Sequence, residues 1–263
     1  MTRVLSATAL AALVVGVVFL LPPIATLVLA VLAAALAFDE YADLAAALDT
    51  RVPRVLGTAA VTVACVAAGS EALPLDLVLL ASLVTIGTYV VFRAEPGPGV
   101  LRDAAASILP IVYIGVPLGC LAAVRLIGGR EATLLLIVTM IASDSAQYYS
   151  GRFFGRHPLA PAISPKKTVE GAVGGLIVGA AVMTAGARRV FPETPVLVAG
   201  IAAVVVVSVG MVGDLFESLI KRSAGVKDSS SVIPGHGGVL DRIDSWLFAG
   251  PMFYVFTRYL QEP

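Results

Sequence analysis

The chain has 263 residues, 58% of them hydrophobic and 14% charged, with a net charge of zero and a mean hydropathy of +0.94. A soluble domain carries about 45–50% apolar and about 25% charged residues. A water-soluble globule is therefore excluded, because most helices would have no polar side to turn to water. Zero net charge points to no partner by itself, and no nucleic-acid partner is expected.

The apolar residues come in blocks. No charged residue occurs over 4–38, 104–124 or 194–213. Runs of about 18 or more apolar residues read as membrane-spanning helices. The fold class is thus an all-α, polytopic integral membrane protein in the lipid bilayer. Nine spans are predicted, over 4–21, 24–37, 55–70, 73–92, 104–127, 132–150, 171–190, 195–220 and 238–260. Met1-Thr2-Arg3 before an apolar run resembles a secretory leader, but the run is long and has no small-residue cleavage site, so a first span is expected. Pro22-Pro23 is the break between spans one and two. Pro53, the Pro96-to-Gly99 stretch and Pro192 with Pro195 mark later turns. No repeat and no separate soluble domain stand out. The chain divides into 1–130, with about five spans, and 131–263, a catalytic region of about four spans with two functional loops. Cys65 and Cys120 lie in apolar runs without metal-ligand spacing and are expected to be small core residues.

The two loops run from Ser150 to Glu170 and from Lys221 to Gly238. With nine spans they follow helices six and eight, on the same side of the membrane. All four lysines (Lys166, Lys167, Lys221, Lys227) and both histidines (His157, His236) fall in them. Elsewhere basic charge is supplied by Arg. A compact ammonium is suited to phosphate.

Intramembrane acids accompany the loops. Asp144 lies seven residues before Gly151, Asp214 seven before Lys221, and Asp244 six after Gly238. At about 1.5 Å per residue these three sit roughly 10 Å inside one membrane surface. Asp241 lies one turn before Asp244. Asp214, Glu217, Ser218, Lys221 and Arg222 share a helix face. Converging carboxylates repel unless a cation joins them, and Mg²⁺ suits a few carboxylates plus substrate phosphates. The bland reading of each acid is a structural ion pair, for example with Arg242 or Arg222.

Ser164-Pro165-Lys166-Lys167-Thr168 reads as a helix start, with Ser164 as N-cap and Pro165 at the first helical position. Its free amides and two lysines would attract phosphate. Pro234-Gly235-His236-Gly237-Gly238 would open the last helix, its glycines letting amides approach an anion.

The run Ser218-Leu-Ile-Lys221-Arg222, then Lys227-Asp228, then Pro234-Gly-His236-Gly237-Gly238-Val-Leu-Asp241-Arg242-Ile-Asp244 resembles the signature of phosphatidate cytidylyltransferases (CDP-diglyceride synthetases). Ser143-Asp144-Ser145 through Gly155-Arg156, with Ser164 to Glu170-Gly171, is similar to a second region of that family. The resemblance covers roughly 140–250. Gln147 and Val169 depart from it, where a small residue and Trp are expected. It implies CTP and phosphatidate as substrates, Mg²⁺ with room for a second cation, and a site at the cytoplasmic face of the cell inner membrane. It implies metal ligation first by Asp214 and Asp241, then by Asp144 and Asp244. Lys166, Lys167, Lys221, Arg222 and Lys227 would bind phosphate, with Ser164, Thr168, Glu170, Ser218, Gly237 and Gly238 around the substrates. Asp228 and Arg242 belong to the signature. His236 would hold its loop or protonate leaving pyrophosphate.

The Lys and Arg count agrees weakly with this orientation. Thirteen of the 18 basic residues fall on the site side, but without the eight in the site region the count is five against five. Gly171, Gly174, Gly175 and Gly179 form a small-residue face for packing within the protomer or in a homodimer. A CTP-dependent lipid kinase, a cytidylyltransferase for another lipid phosphate and, remotely, a transporter are the alternatives.

Overall fold

The computed structural model describes residues 2–235 and 237–261, and the side chains of all these except 2–5, 7, 260 and 261. His236 lies outside the described residues. The helices are α1 (Thr2–Leu20), α2 (Pro23–Ala47), α3 (Arg54–Gly69), α4 (Leu75–Arg93), α5 (Val100–Pro110), α6 (Val116–Ile127), α7 (Gly129–Phe154), α8 (Val169–Val190), α9 (Val196–Ser223), α10 (Leu240–Ile243) and α11 (Trp246–Gln261). A π-helical turn, Ile111–Gly115, joins α5 to α6 into one rod. Among the described residues, nine helical segments reach 16 residues or more, in agreement with the expected count. Five of these are long and apolar enough to cross a membrane: Pro23–Ala47, Leu75–Arg93, Val100–Ile127, Val169–Val190 and Val196–Ser223. Large apolar side chains such as Leu77, Leu80, Val84, Ile177 and Ile201 are exposed along them. Apolar surface on this scale marks a multi-pass membrane protein.

Strands β1 (Pro158–Ala160) and β2 (Ser164–Thr168) form a short antiparallel hairpin, with Pro158 opposite Thr168 and Ala160 opposite Ser164. The chain is otherwise nearly all helical. This corrects the expected helix start at Ser164. The helix begins instead at Val169, and Thr168 is its N-cap, accepting the Gly171 amide at 3.1 Å. Strand pairing claims the Ser164–Thr168 backbone first, so the helix waits until the ladder ends.

The chain forms two compact units. One comprises Met1–Leu126 with Ile220–Ile243, the other Ile127–Leu219 with Asp244–Pro263. In the first unit, prolines set the helix starts. Pro23 occupies the first turn of α2, where a missing amide costs nothing, and Pro53 and Pro74 precede α3 and α4. Pro110 removes an amide inside the fifth rod, and the π-helical turn follows directly. Gly115 and Gly119 bring this rod onto α3: a Cβ at either would come within 2.5 Å of the Val61 or Cys65 carbonyl oxygen. Phe38, Val61, Ala64, Ile111 and Ile114 fill the core. Cys65 and Cys120 are buried and free, as expected. Helix α2 runs ten residues beyond its predicted end at 37, because its buried face continues through Phe38, Glu40, Tyr41, Leu44 and Ala45.

In the second unit α8 packs along α7. A Cβ on Gly171 would come 2.8 Å from the Gln147 carbonyl oxygen, and one on Gly175 would come 2.9 Å from that of Ser143. The small-residue face is thus used within the protomer. Met140, Met183, Val207, Leu247 and Phe253 form the core. The last predicted span, 238–260, is broken after Ile243 into α10 and α11.

Candidate active site

The second unit gathers one cluster of charge. Asp144 projects from α7 and Asp214 from α9, while Lys167 comes from β2. The Lys167 ammonium pairs with the Asp214 carboxylate, each side chain about a quarter exposed. Asp144 lies within electrostatic reach of both Asp214 and Lys167. It also accepts the Gln147 amide at 3.2 Å. Gln147, one of the two departures from the family pattern, therefore touches this cluster. Lys166, next along the strand, is exposed. The pairing register shifts within β2, between Ser164 and Thr168, where both lysines lie.

The hairpin carrying these lysines is held locally. Glu170 accepts the amides of Arg156 at 3.0 Å and His157 at 3.3 Å, and bonds His157 Nδ1 at 2.6 Å. The Val169 amide donates to the His157 carbonyl at 2.9 Å. Gly155 and Gly151 leave room for the Thr168 side chain. Glu170 and Thr168, expected around the substrates, are thus bonded to the protein's own backbone, and Ser164 lies half-buried in β2.

Asp244 stands on the same unit. Its carbonyl oxygen lies against Gly213, where a Cβ would come within 2.7 Å, and its carboxylate accepts the Ser245 amide at 2.7 Å. Ser218 is buried on α9.

The first unit holds the other loop. Helix α9 ends at Ser223, and Gly225, at φ 72°, turns the chain while its amide bonds the Arg222 carbonyl. Only glycine adopts this conformation at no steric cost. Arg222 closes the turn through Nη1 to the Val226 carbonyl at 2.8 Å. Lys227, Asp228 and Arg242 are exposed. Lys221 is 7% exposed, and its ammonium donates to Asp241 Oδ1 at 2.5 Å. Asp241 Oδ2 accepts the Ser229 amide at 2.8 Å, the Ser229 hydroxyl at 2.9 Å and the Gly238 amide at 2.7 Å. Asp241 lies in α10, outside the five helices long and apolar enough to cross a membrane. Burial opposes its charge, but the Lys221 ammonium and the two amides outweigh that and hold its carboxyl below the usual carboxylate range. The structural partner of Asp241 is Lys221, not Arg242 or Arg222.

One residue of this network was invisible to motif reasoning. Glu40 on α2 is 3% exposed and accepts the Ser230 hydroxyl at 2.7 Å, the Ser229 hydroxyl at 2.9 Å and the Val239 and Leu240 amides at 2.8 Å. Gly238 makes room for it, since a Cβ there would lie 2.6 Å from the Glu40 carboxyl carbon. The available signal was an acid in the run Ala37-Phe-Asp-Glu-Tyr-Ala, at the end of an apolar stretch.

Among the described residues no three His, Cys, Asp or Glu side chains form a ready metal cluster. The Asp144–Asp214 pair still suits Mg²⁺, which takes one or two carboxylates and fills its shell with water and phosphate oxygens. The Lys167 ammonium already answers a demand for positive charge there.

The sequence pattern of the cytidylyltransferase family matches residues 1–260. The chain belongs to the cytidylyltransferase family. Among this family's curated relatives, phosphatidate cytidylyltransferase 5, chloroplastic, of Arabidopsis thaliana is 50% identical over 131 residues, which are 49% of this chain and 32% of that protein. The phosphatidate cytidylyltransferase of Haemophilus influenzae is 46% identical over 138 residues, 50% of this chain and 47% of that one. That of Helicobacter pylori is 33% identical over 188 residues, 72% of this chain and 67% of that one. The chain thus spans 32% and 47% of the first two relatives' length.

Proposed function

We propose that this cytidylyltransferase-family protein transfers the cytidylyl group of CTP to phosphatidate, giving CDP-diacylglycerol and pyrophosphate. The observation that carries this reading is the family match over residues 1–260, with relatives of that name in bacteria and a plant chloroplast. A phosphate oxygen of phosphatidate forms a bond to the α-phosphorus of CTP. The bond to the bridging oxygen breaks, and its electron pair leaves with pyrophosphate. The attacking oxygen is already anionic near neutral pH, so positioning and charge neutralisation supply most of the catalysis.

Asp144 and Asp214 would hold Mg²⁺, with Asp244 nearby in the same unit. When bound, the ion supplies charge neutralisation at the reacting phosphates. Lys167 orients Asp214. In the second unit Lys166, exposed and compact, binds phosphate oxygens; in the first unit Lys227 is likewise exposed and suited to phosphate, with Arg222 five residues before it. Lys221 and Asp241, both buried, set the shape of the loop that presents Lys227. Acyl chains stay in the bilayer. The placement that fits best is the cell inner membrane with both loops toward the cytoplasm, where CTP is made.

The test uses purified protein, phosphatidate and CTP labelled separately on the α- and γ-phosphorus, with and without Mg²⁺. Incorporation of α-label into lipid that requires Mg²⁺ supports the reading. Incorporation of γ-label makes the protein a lipid kinase, and incorporation of neither label sinks both.

A further inference from the structure

We infer that Glu40 is a positioning residue for the transfer reaction: its buried carboxylate pins the loop that carries Lys227 to α2. The inference rests on the activity proposed above. Among the described residues, the loop between α9 and α10 has no helix or named strand, and a bridge joins Ile233 and Gly237. Its amides and hydroxyls need acceptors that a helix or sheet would otherwise supply. Glu40 provides them from 189 to 200 residues away in sequence.

The four donors arrive at both ends of the loop. Ser229 and Ser230 lie two and three residues after Lys227, while Val239 and Leu240 open α10. One carboxylate therefore ties the start of the loop to its end. The Ser229 hydroxyl also reaches Asp241, which holds Lys221. Glu40, Ser229, Asp241 and Lys221 form one connected chain of hydrogen bonds. Lys227 is two residues from Ser229 and exposed, so the pin holds the backbone from which its side chain projects. A loop ordered before substrate arrives does not have to be ordered by it, and anion binding is stronger for that.

The chemistry requires a carboxylate. Two oxygens accept four donors, two on each oxygen, and an ionised carboxylate has that acceptor capacity. Glutamine would turn an NH₂ group toward two of the donors. Gly238 lies against the carboxylate, so a side chain there would push Glu40 out of place.

The experiment compares Glu40→Gln with the unmodified protein by amide hydrogen exchange in detergent, without substrates, and by CTP turnover with phosphatidate. Exchange at Val239 and Leu240 is expected to rise about tenfold or more. The remainder of the protein, including the 158–168 hairpin, should keep its exchange pattern. The KM for CTP should rise or kcat fall by about tenfold, and Glu40→Asp should recover part of the loss. Should Glu40→Gln not fold, Ser230→Ala removes one of the four bonds and is expected to raise exchange and KM about threefold. Unchanged exchange overturns the pin whatever the activity does. Raised exchange with unchanged kinetics overturns the positioning role while leaving the proposed activity standing. If the unmodified protein does not turn over CTP, the activity reading falls and with it the positioning role, while the exchange data still show whether Glu40 holds the loop.

Discussion

The hairpin region over 155–170 and the loop over 221–240 look alike in sequence: both are polar, both carry lysines and a histidine, and both follow a long helix. They are held in opposite ways. The hairpin satisfies its backbone locally, through strand pairing, the Thr168 cap and the amides given to Glu170. The longer loop has little pairing of its own, so its donors end on two buried carboxylates, Asp241 nearby and Glu40 far away in sequence. A local solution leaves the cations of β2 exposed or partly exposed. A buried-charge solution consumes one cation, Lys221, and leaves Lys227 exposed.

Removing the charge partner in the second region should do the most damage. Asp241→Ala leaves the Lys221 ammonium buried without its carboxylate and is expected to cost about 3–5 kcal/mol, read from thermal unfolding in detergent. Adding Lys221→Met to Asp241→Asn should recover part of the stability, because no uncompensated charge then remains. A loss below about 1 kcal/mol for Asp241→Ala would mean the pair is not buried in the working protein.

The corresponding change in the first region should separate activity from stability. Asp214→Asn removes the partner of Lys167 in a partly exposed setting. Turnover should drop about a hundredfold, equivalent to about 2.7 kcal/mol, while the unfolding midpoint barely moves. An unfolding shift as large as that of Asp241→Ala would erase the contrast between the regions.

Packing beneath the hairpin comes next. Gly175→Leu places a side chain against Gln147 and the Ser143 carbonyl and is expected to cost about 2 kcal/mol through overpacking. Were the glycine face a contact between copies, the same change would alter the oligomeric state and leave the unfolding of the protomer untouched. The smallest effect belongs to Thr168→Ala. Loss of one helix cap should cost about 1 kcal/mol, with faster exchange at the Gly171 amide as its signature. No change in that amide would return the helix start toward Ser164.

The legible part of the site was the part made of charge in apolar surroundings. Asp144, Asp214 and Lys167 stand out because an ion in an apolar helix or beside one has few reasons to be there, and the structure brings these three together. Asp241 was legible as a candidate, but its pairing with Lys221 was not, because spacing along a helix says nothing about a residue across a loop. Glu40 was missed because it belongs to no motif and its four partners lie some 190 residues away or more. The hairpin was missed because Ser-Pro followed by lysines satisfies helix-start rules equally well, and only pairing with Pro158–Ala160 decides otherwise.

By itself, the sequence determined the long apolar helices, their proline-marked starts and the residues that could carry phosphate chemistry. These follow from local composition, which the lipid environment reads residue by residue. The tertiary structure alone decided which donors each acid meets, Lys221 and the loop amides for Asp241 and Lys167 for Asp214. That depends on which donors come within about 3 Å of each oxygen, and distance in space is the one quantity that order along the chain does not contain.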